Sequence, residues 1–179
     1  MLSLAKAQFP VSQLRVIESD EGHVTLSYKN VIIVLWYCSP RAETLHQLYR
    51  LAQQLTAEFN VPKVSVISVI RRKVHGAPSP AARAALAMLY SDPNNVLYRS
   101  ALVFVNEGFV AASIRSLLLS VRNKLAGSPS NDIFRHLDEA IRWATEGLLS
   151  IDKQAVPVGS LLSEVNRFLA SSERESQAS

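Results

Sequence analysis

The chain is expected to fold as one α/β domain. It should have a mostly parallel central sheet with an N-terminal edge hairpin, helices packed on the sheet and an added C-terminal amphipathic helix. Three observations predict this. Apolar β-type runs alternate with segments of helical period from Val31 to Leu148, the arrangement that calls for parallel strands joined by crossovers. The runs VIIVLWYC, VSVISVI and ALVFV are continuously apolar, as in strands covered on both faces. Finally, 179 residues with 48% hydrophobic and 19% charged side chains suit one domain that buries its own core.

Taken in order, Leu14 to Glu18 and Val24 to Tyr28 flank the turn Asp20-Glu21-Gly22 and predict a hairpin at the sheet edge. Val31 to Cys38 should be the central strand. Ser39-Pro40 opens a helix whose Leu45, Leu48, Leu51, Ala52 and Leu55 share one face until Asn60-Val61-Pro62 stops it. Val64 to Ile70 is the next strand. Ser79-Pro80 then supplies an N-cap and a first-turn proline for an alanine-rich helix to about Tyr90.

Ala101 to Val105 predicts a third buried strand, followed by a helix from about Phe109 to Leu125. A short strand at Asp132 to Phe134 leads into a helix carrying Leu137, Ala140, Ile141, Ala144 and Leu148. Val158 to Ala170 has Leu161, Leu162, Val165, Phe168 and Leu169 in a stripe, an amphipathic helix that packs on its own domain or on a partner. The expected organisation is therefore a segment 1–13, a domain 14–152, a helix 153–170 and a polar, disordered tail 171–179.

The formal net charge of +4 is too small to argue for nucleic acid, and no nucleic-acid partner is expected. Cys38 is the single cysteine. It excludes an internal disulfide and fits a reducing, cytoplasmic setting. The opening MLSLAKAQFPVSQ lacks the continuous apolar core of a signal peptide. No apolar stretch approaches the ~20 residues of a spanning helix, so no membrane insertion is expected.

Three stretches carry a family likeness: GAPSPAARAAL (Gly76 to Leu86), ALVFVNEGFVAASIRSLLLSV (Ala101 to Val121) and DIFRHLDEAIRWATEGL (Asp132 to Leu148). The last is similar to the F-x-x-x-x-E-A-x-x-W-L ending of many small bacterial domains, with Phe134, Asp138, Glu139, Ala140 and Trp143 in place and Ala144 where leucine is usual. Together they resemble the STAS/SEC14-like (SpoIIAA-like) superfamily over Leu14 to Leu149. Phe134 and Trp143 would anchor the last helix on the sheet, so the motif reports fold rather than chemistry.

The resemblance implies a regulatory domain that docks on a partner and carries a phosphorylatable Asp-Ser or Asp-Thr at a helix start. Here Ser79 stands at that place without an acidic neighbour, which makes it first a plain N-cap and only then a candidate phosphoacceptor. The basic group Arg71, Arg72, Lys73 and His75, joined by Arg41, follows strand carboxyl ends. Open α/β sheets bind ligands at that edge, so these are candidate contacts to a protein partner or an anion.

Leu161, Leu162, Val165 and Phe168 are a candidate oligomer interface. His23, His46, His75 and His136 show no metal-ligand spacing on one helix face, and Cys38 is expected to be a buried, inert thiol. No metal, cofactor or catalytic group is expected. The leading expectation is a non-catalytic regulatory or scaffolding module that binds a partner protein, with homodimerisation open. The alternative is a carrier of a small apolar or anionic ligand, lipid or nucleotide, with a cavity lined by Val110, Ile114 and Leu118. A hydrolase or transferase using Ser79 or Cys38 stands third.

Overall fold

The computed structural model describes residues 13–71, 78–91, 94, 96–104, 130–149, 151 and 156–177. Six strands form one mixed sheet in sequence order. They are β1 (Arg15–Ser19), β2 (His23–Tyr28), β3 (Val31–Trp36), β4 (Val64–Ile70), β5 (Leu97–Phe104) and β6 (Ser130–Phe134). β1, β2 and β3 are antiparallel neighbours, whereas β3 to β6 run parallel. Among the described residues four helices accompany the sheet: α1 (Ala42–Phe59), α2 (Pro80–Ser91), α3 (Leu137–Leu149) and α4 (Val158–Gln177).

The two-residue side-chain period of a strand divides the apolar run of β3 between two cores. Ile32, Val34 and Trp36 point with Val64, Val66 and Ile70 toward the buried faces of α1 and α2. Val31, Ile33 and Leu35 join Val24, Leu26, Tyr28, Ile67 and Val69 beneath α3 and α4. Both faces of the sheet's middle are covered, which is why its strands read as unbroken apolar runs.

α1 stops at Asn60, whose left-handed φ of 51° places its N–H back on the last carbonyls. The neighbouring Val61 N–H bonds Thr56 O at 3.0 Å, closing the end as a left-handed cap does. On the other face, Ser65 Oγ donates to Ala144 O across a fully buried contact of 3.2 Å. Phe134 and Trp143 meet with ring centroids 5.4 Å apart, fastening α3 to β6.

Several sequence expectations need correction. β5 begins at Leu97, four residues before Ala101, because the polar-tipped Arg99 and Ser100 still pair with β4 and β6, with Tyr98 carried along at a register shift. α4 continues to Gln177 through most of the segment expected to be disordered. There the hydroxyls of Ser171 and Ser172 bond back to Phe168 O at 2.8 and 3.0 Å.

Leu161 and Val165 are fully buried in the chain's own core, and Leu162 and Phe168 pack against it. Glu164, on the same helix, accepts the Leu14 N–H at 2.8 Å. α4 is thus seated on its own domain, and Leu161 and Val165 are removed from the candidate oligomer interface. The expected helix Phe109 to Leu125, with Val110, Ile114 and Leu118, lies outside the described residues.

Candidate functional site

The β1–β2 turn folds over the carboxyl end of β3. Gly22 O accepts the N–H groups of Tyr37 and Cys38 at 2.9 and 3.1 Å, and Trp36 O accepts the Arg71 N–H at 3.0 Å. Sequence therefore brings three segments to one sheet edge: the turn after β1, the start of α1, and the exit from β4. This is the edge at which open α/β sheets bind ligands.

Asp20 is the hub of this edge. Its Oδ1 accepts the backbone N–H of Gly22 at 2.6 Å and of His23 at 2.8 Å, and lies 3.0 Å from His23 Nδ1. Its Oδ2 holds Arg41 Nη2 at 2.6 Å. Burial pushes the Asp20 carboxyl upward, but the His23 and Gly22 N–H groups and the His23 ring outweigh it and leave its pKa lowered. Asp20 is therefore an ionised acceptor.

His23 is 1% exposed and stacks on Trp36 with centroids 5.5 Å apart. With Nδ1 on Asp20, its Nε2 faces Glu18 Oε2 at 3.5 Å and has no hydrogen-bond partner among the described residues. His23, Thr25 and Ser27 occupy alternate positions of β2, and Thr25 Oγ1 and Ser27 Oγ are also buried without partners among the described residues. Thr25 pairs directly with Glu18 across the hairpin. Between this pair and α1 lies a cleft of about 280 Å3, lined by Ile17, Glu18, Thr25, Gln47, Arg50 and Gln54 among others.

The sequence-derived candidates divide clearly. Arg41 and Arg71 do come to the same edge, but Arg41 is engaged by Asp20 rather than presented alone. Arg72, Lys73 and His75 lie outside the described residues. Ser79 is a helix cap, its Oγ accepting the Ala82 N–H at 3.1 Å. Cys38 corrects the expectation of a buried thiol: β3 ends at Trp36, the chain bends outward, and the cysteine is exposed. His46 and His136 are exposed and stand apart from the Glu18–Asp20–His23 group.

Sequence reasoning missed Glu18, Asp20 and His23 as a unit. Glu18 and His23 lie on facing strands of the hairpin rather than on one helix face, and Asp20 reads in sequence as a turn residue. The available signal was an aspartate three residues before a histidine across a tight turn, since such an aspartate bonds the backbone beyond it.

A Cβ at Gly22 would lie 2.8 Å from Cys38 Sγ and 3.2 Å from Asp20 Oδ1, so a larger residue there obliges these side chains to shift. No helix among the described residues is long and apolar enough to cross a membrane. No family model, curated protein or solved structure matches the chain.

Proposed function

We propose that the protein is a non-catalytic regulatory or scaffolding module that binds a partner protein, taking an extended segment of the partner along β1. The observation that carries this reading is the state of the outer strand. Among the described residues β1 has β2 as its sole neighbour in the sheet, and Val16 and Ile17 are 54% and 43% exposed. An edge strand of this kind offers main-chain hydrogen bonds to an added strand, while a neighbouring pocket supplies side-chain specificity. Ile17 is also a wall of the cleft under α1, so strand edge and pocket are continuous.

The irregularity between Val16 and Glu18 and the flanking charges of Arg15 and Glu18 are devices that prevent long, indiscriminate edge pairing. They favour a short, specific segment. The two side chains considered as nucleophiles have other engagements: Ser79 Oγ caps α2 and Cys38 Sγ donates to Ser39 O at 3.5 Å. The resemblance to STAS-like regulators agrees with this reading. The ligand-carrier alternative draws only on the cleft, whose volume is at the small end for ligand sites and whose Glu18, Arg50 and two glutamines suit a small polar molecule better than a lipid.

The test compares wild type, a Val16→Lys/Ile17→Lys variant, and Met88→Lys, which alters a still more exposed apolar residue on α2. Each is tagged and recovered from its native cells, and stoichiometrically retained proteins are identified. A protein held by wild type and Met88→Lys but lost from the β1 variant supports the reading. Identical retention by all three refutes it. Sedimentation of the same proteins shows whether the segment on β1 belongs to a second copy.

A further inference from the structure

We propose that His23 Nε2 and the Glu18 carboxylate form a binding site for one divalent ion of the zinc class, with Asp20 orienting the imidazole from its far side. Asp20 Oδ1 already accepts two backbone N–H groups and Oδ2 the Arg41 guanidinium, so the bond at 3.0 Å to His23 Nδ1 assigns the ring proton to Nδ1. The Nε2 lone pair then points at a carboxylate oxygen 3.5 Å away. Two acceptors facing each other, one of them on a side chain 2% exposed, is an arrangement that a cation between them relieves.

The distance fits such an ion. Zinc–nitrogen and zinc–oxygen bonds of about 2.0–2.2 Å at a tetrahedral angle set neighbouring donors about 3.4 Å apart, against 3.5 Å here. That separation is also too long for a sound hydrogen bond, consistent with Nε2 having no partner among the described residues. A carboxylate on the remote nitrogen is the usual outer support of a metal-ligating histidine, fixing tautomer and ring direction. Asp20 is itself fixed by Arg41 Nη2 and two backbone N–H groups, and Trp36 stacks on the ring.

Access is through the cleft. Glu18 is the part-exposed member of the pair and lines that cleft beside Thr25. Thr25 Oγ1, without a partner among the described residues, is able to bond water carried by the ion. An imidazole nitrogen with one carboxylate selects zinc, copper, nickel or cobalt over magnesium and calcium, which prefer all-oxygen surroundings.

Trp36 makes the site directly readable, because a paramagnetic ion on His23 sits beside its indole. The chain has two tryptophans, so a Trp143→Phe background leaves Trp36 as the single emitter. The full chain, freed of metal with a chelator, is titrated with Cu2+ while tryptophan emission is followed. Bound Zn2+ is counted separately by equilibrium dialysis and elemental analysis.

The expected result is one ion per chain with quenching of Trp36. Affinity should fall by on the order of tenfold or more in Glu18→Gln and His23→Gln and about 10- to 100-fold in Asp20→Asn, and stay unchanged in His46→Gln. Glu18→Gln keeps the test decisive if the buried His23→Gln chain does not fold, as circular dichroism will show. The proposal is overturned if no ion binds at one equivalent. Full affinity in Glu18→Gln, or binding without Trp36 quenching, overturns it equally, since either places the ion elsewhere. A site occupied by a proton instead gives the first of these outcomes.

Discussion

Replacing Gly147 with alanine should destabilise the protein, although glycine inside a helix is ordinarily improved by that change. Gly147 is buried in the last turns of α3, and a Cβ there would collide with Arg99 at Nε, Cδ and Cζ. Arg99 reaches across from β5, lays its guanidinium 4.6 Å from the Trp143 ring centroid and 5.6 Å from that of Tyr98, and donates to Trp143 O.

The substitution gains roughly 1 kcal/mol of helix propensity. Displacing Arg99 forfeits about 0.5–2 kcal/mol of cation–π attraction and about 1.5–3 kcal/mol from a charged hydrogen bond to a part-buried carbonyl. The loss wins by about 1–4 kcal/mol on these magnitudes. Urea unfolding followed by far-ultraviolet circular dichroism measures the difference. In an Arg99→Ala background the obstruction is gone, so Gly147→Ala should reverse sign and stabilise by up to about 1 kcal/mol. A stabilised Gly147→Ala protein, or the same sign in both backgrounds, refutes the reasoning.

Three further outcomes are expected. Leu161→Ala should cost about 2–5 kcal/mol in chemical unfolding, because Leu161 is the fully buried side chain by which α4 packs on the core; a neutral result would mean that α4 does not seat on the sheet. Ser79→Ala should lower stability by about 1 kcal/mol, and Ser79→Asp should retain most of it, read by thermal unfolding; equal loss in both would show that the Ser79 hydroxyl is not acting as a cap. Asp20 is held below its ordinary value of 3.8, so in metal-free protein its contribution is complete above that value and is lost as pH falls through the lowered one. Asp20→Asn should therefore be the less stable protein at neutral pH, with the gap to wild type closing as pH falls below about 4; a gap that widens on acidification would contradict the assignment.

Much of the fold was legible because its causes are local. Helical periodicity in Leu45, Leu48, Leu51, Ala52 and Leu55 and the cap at Ser79-Pro80 follow from backbone geometry within a few residues, and unbroken apolarity marks β3 and β4 as covered on both sides. The polar-tipped first half of β5 escaped, because Tyr98 and Arg99 have no apolar signature and are made into strand by their neighbours. The residues of the candidate site were visible only in part. Arg41 and Arg71 followed from their places after strand ends, whereas Glu18 and His23 meet through hairpin register, and register depends on which residues cross-pair rather than on any short stretch.

By itself, then, the sequence determined the class of fold, the central strands, the buried helix faces and the absence of any internal disulfide. These rest on hydrophobic burial, which composition and period encode directly. Only the tertiary structure decided the sheet order, the seating of α4 on its own domain, the exposure of Cys38 and the meeting of Asp20 with Arg41 and of Arg99 with Trp143. Directional contacts between residues distant along the chain depend on angles and separations of an ångström or less, and those exist only once the sheet has been built.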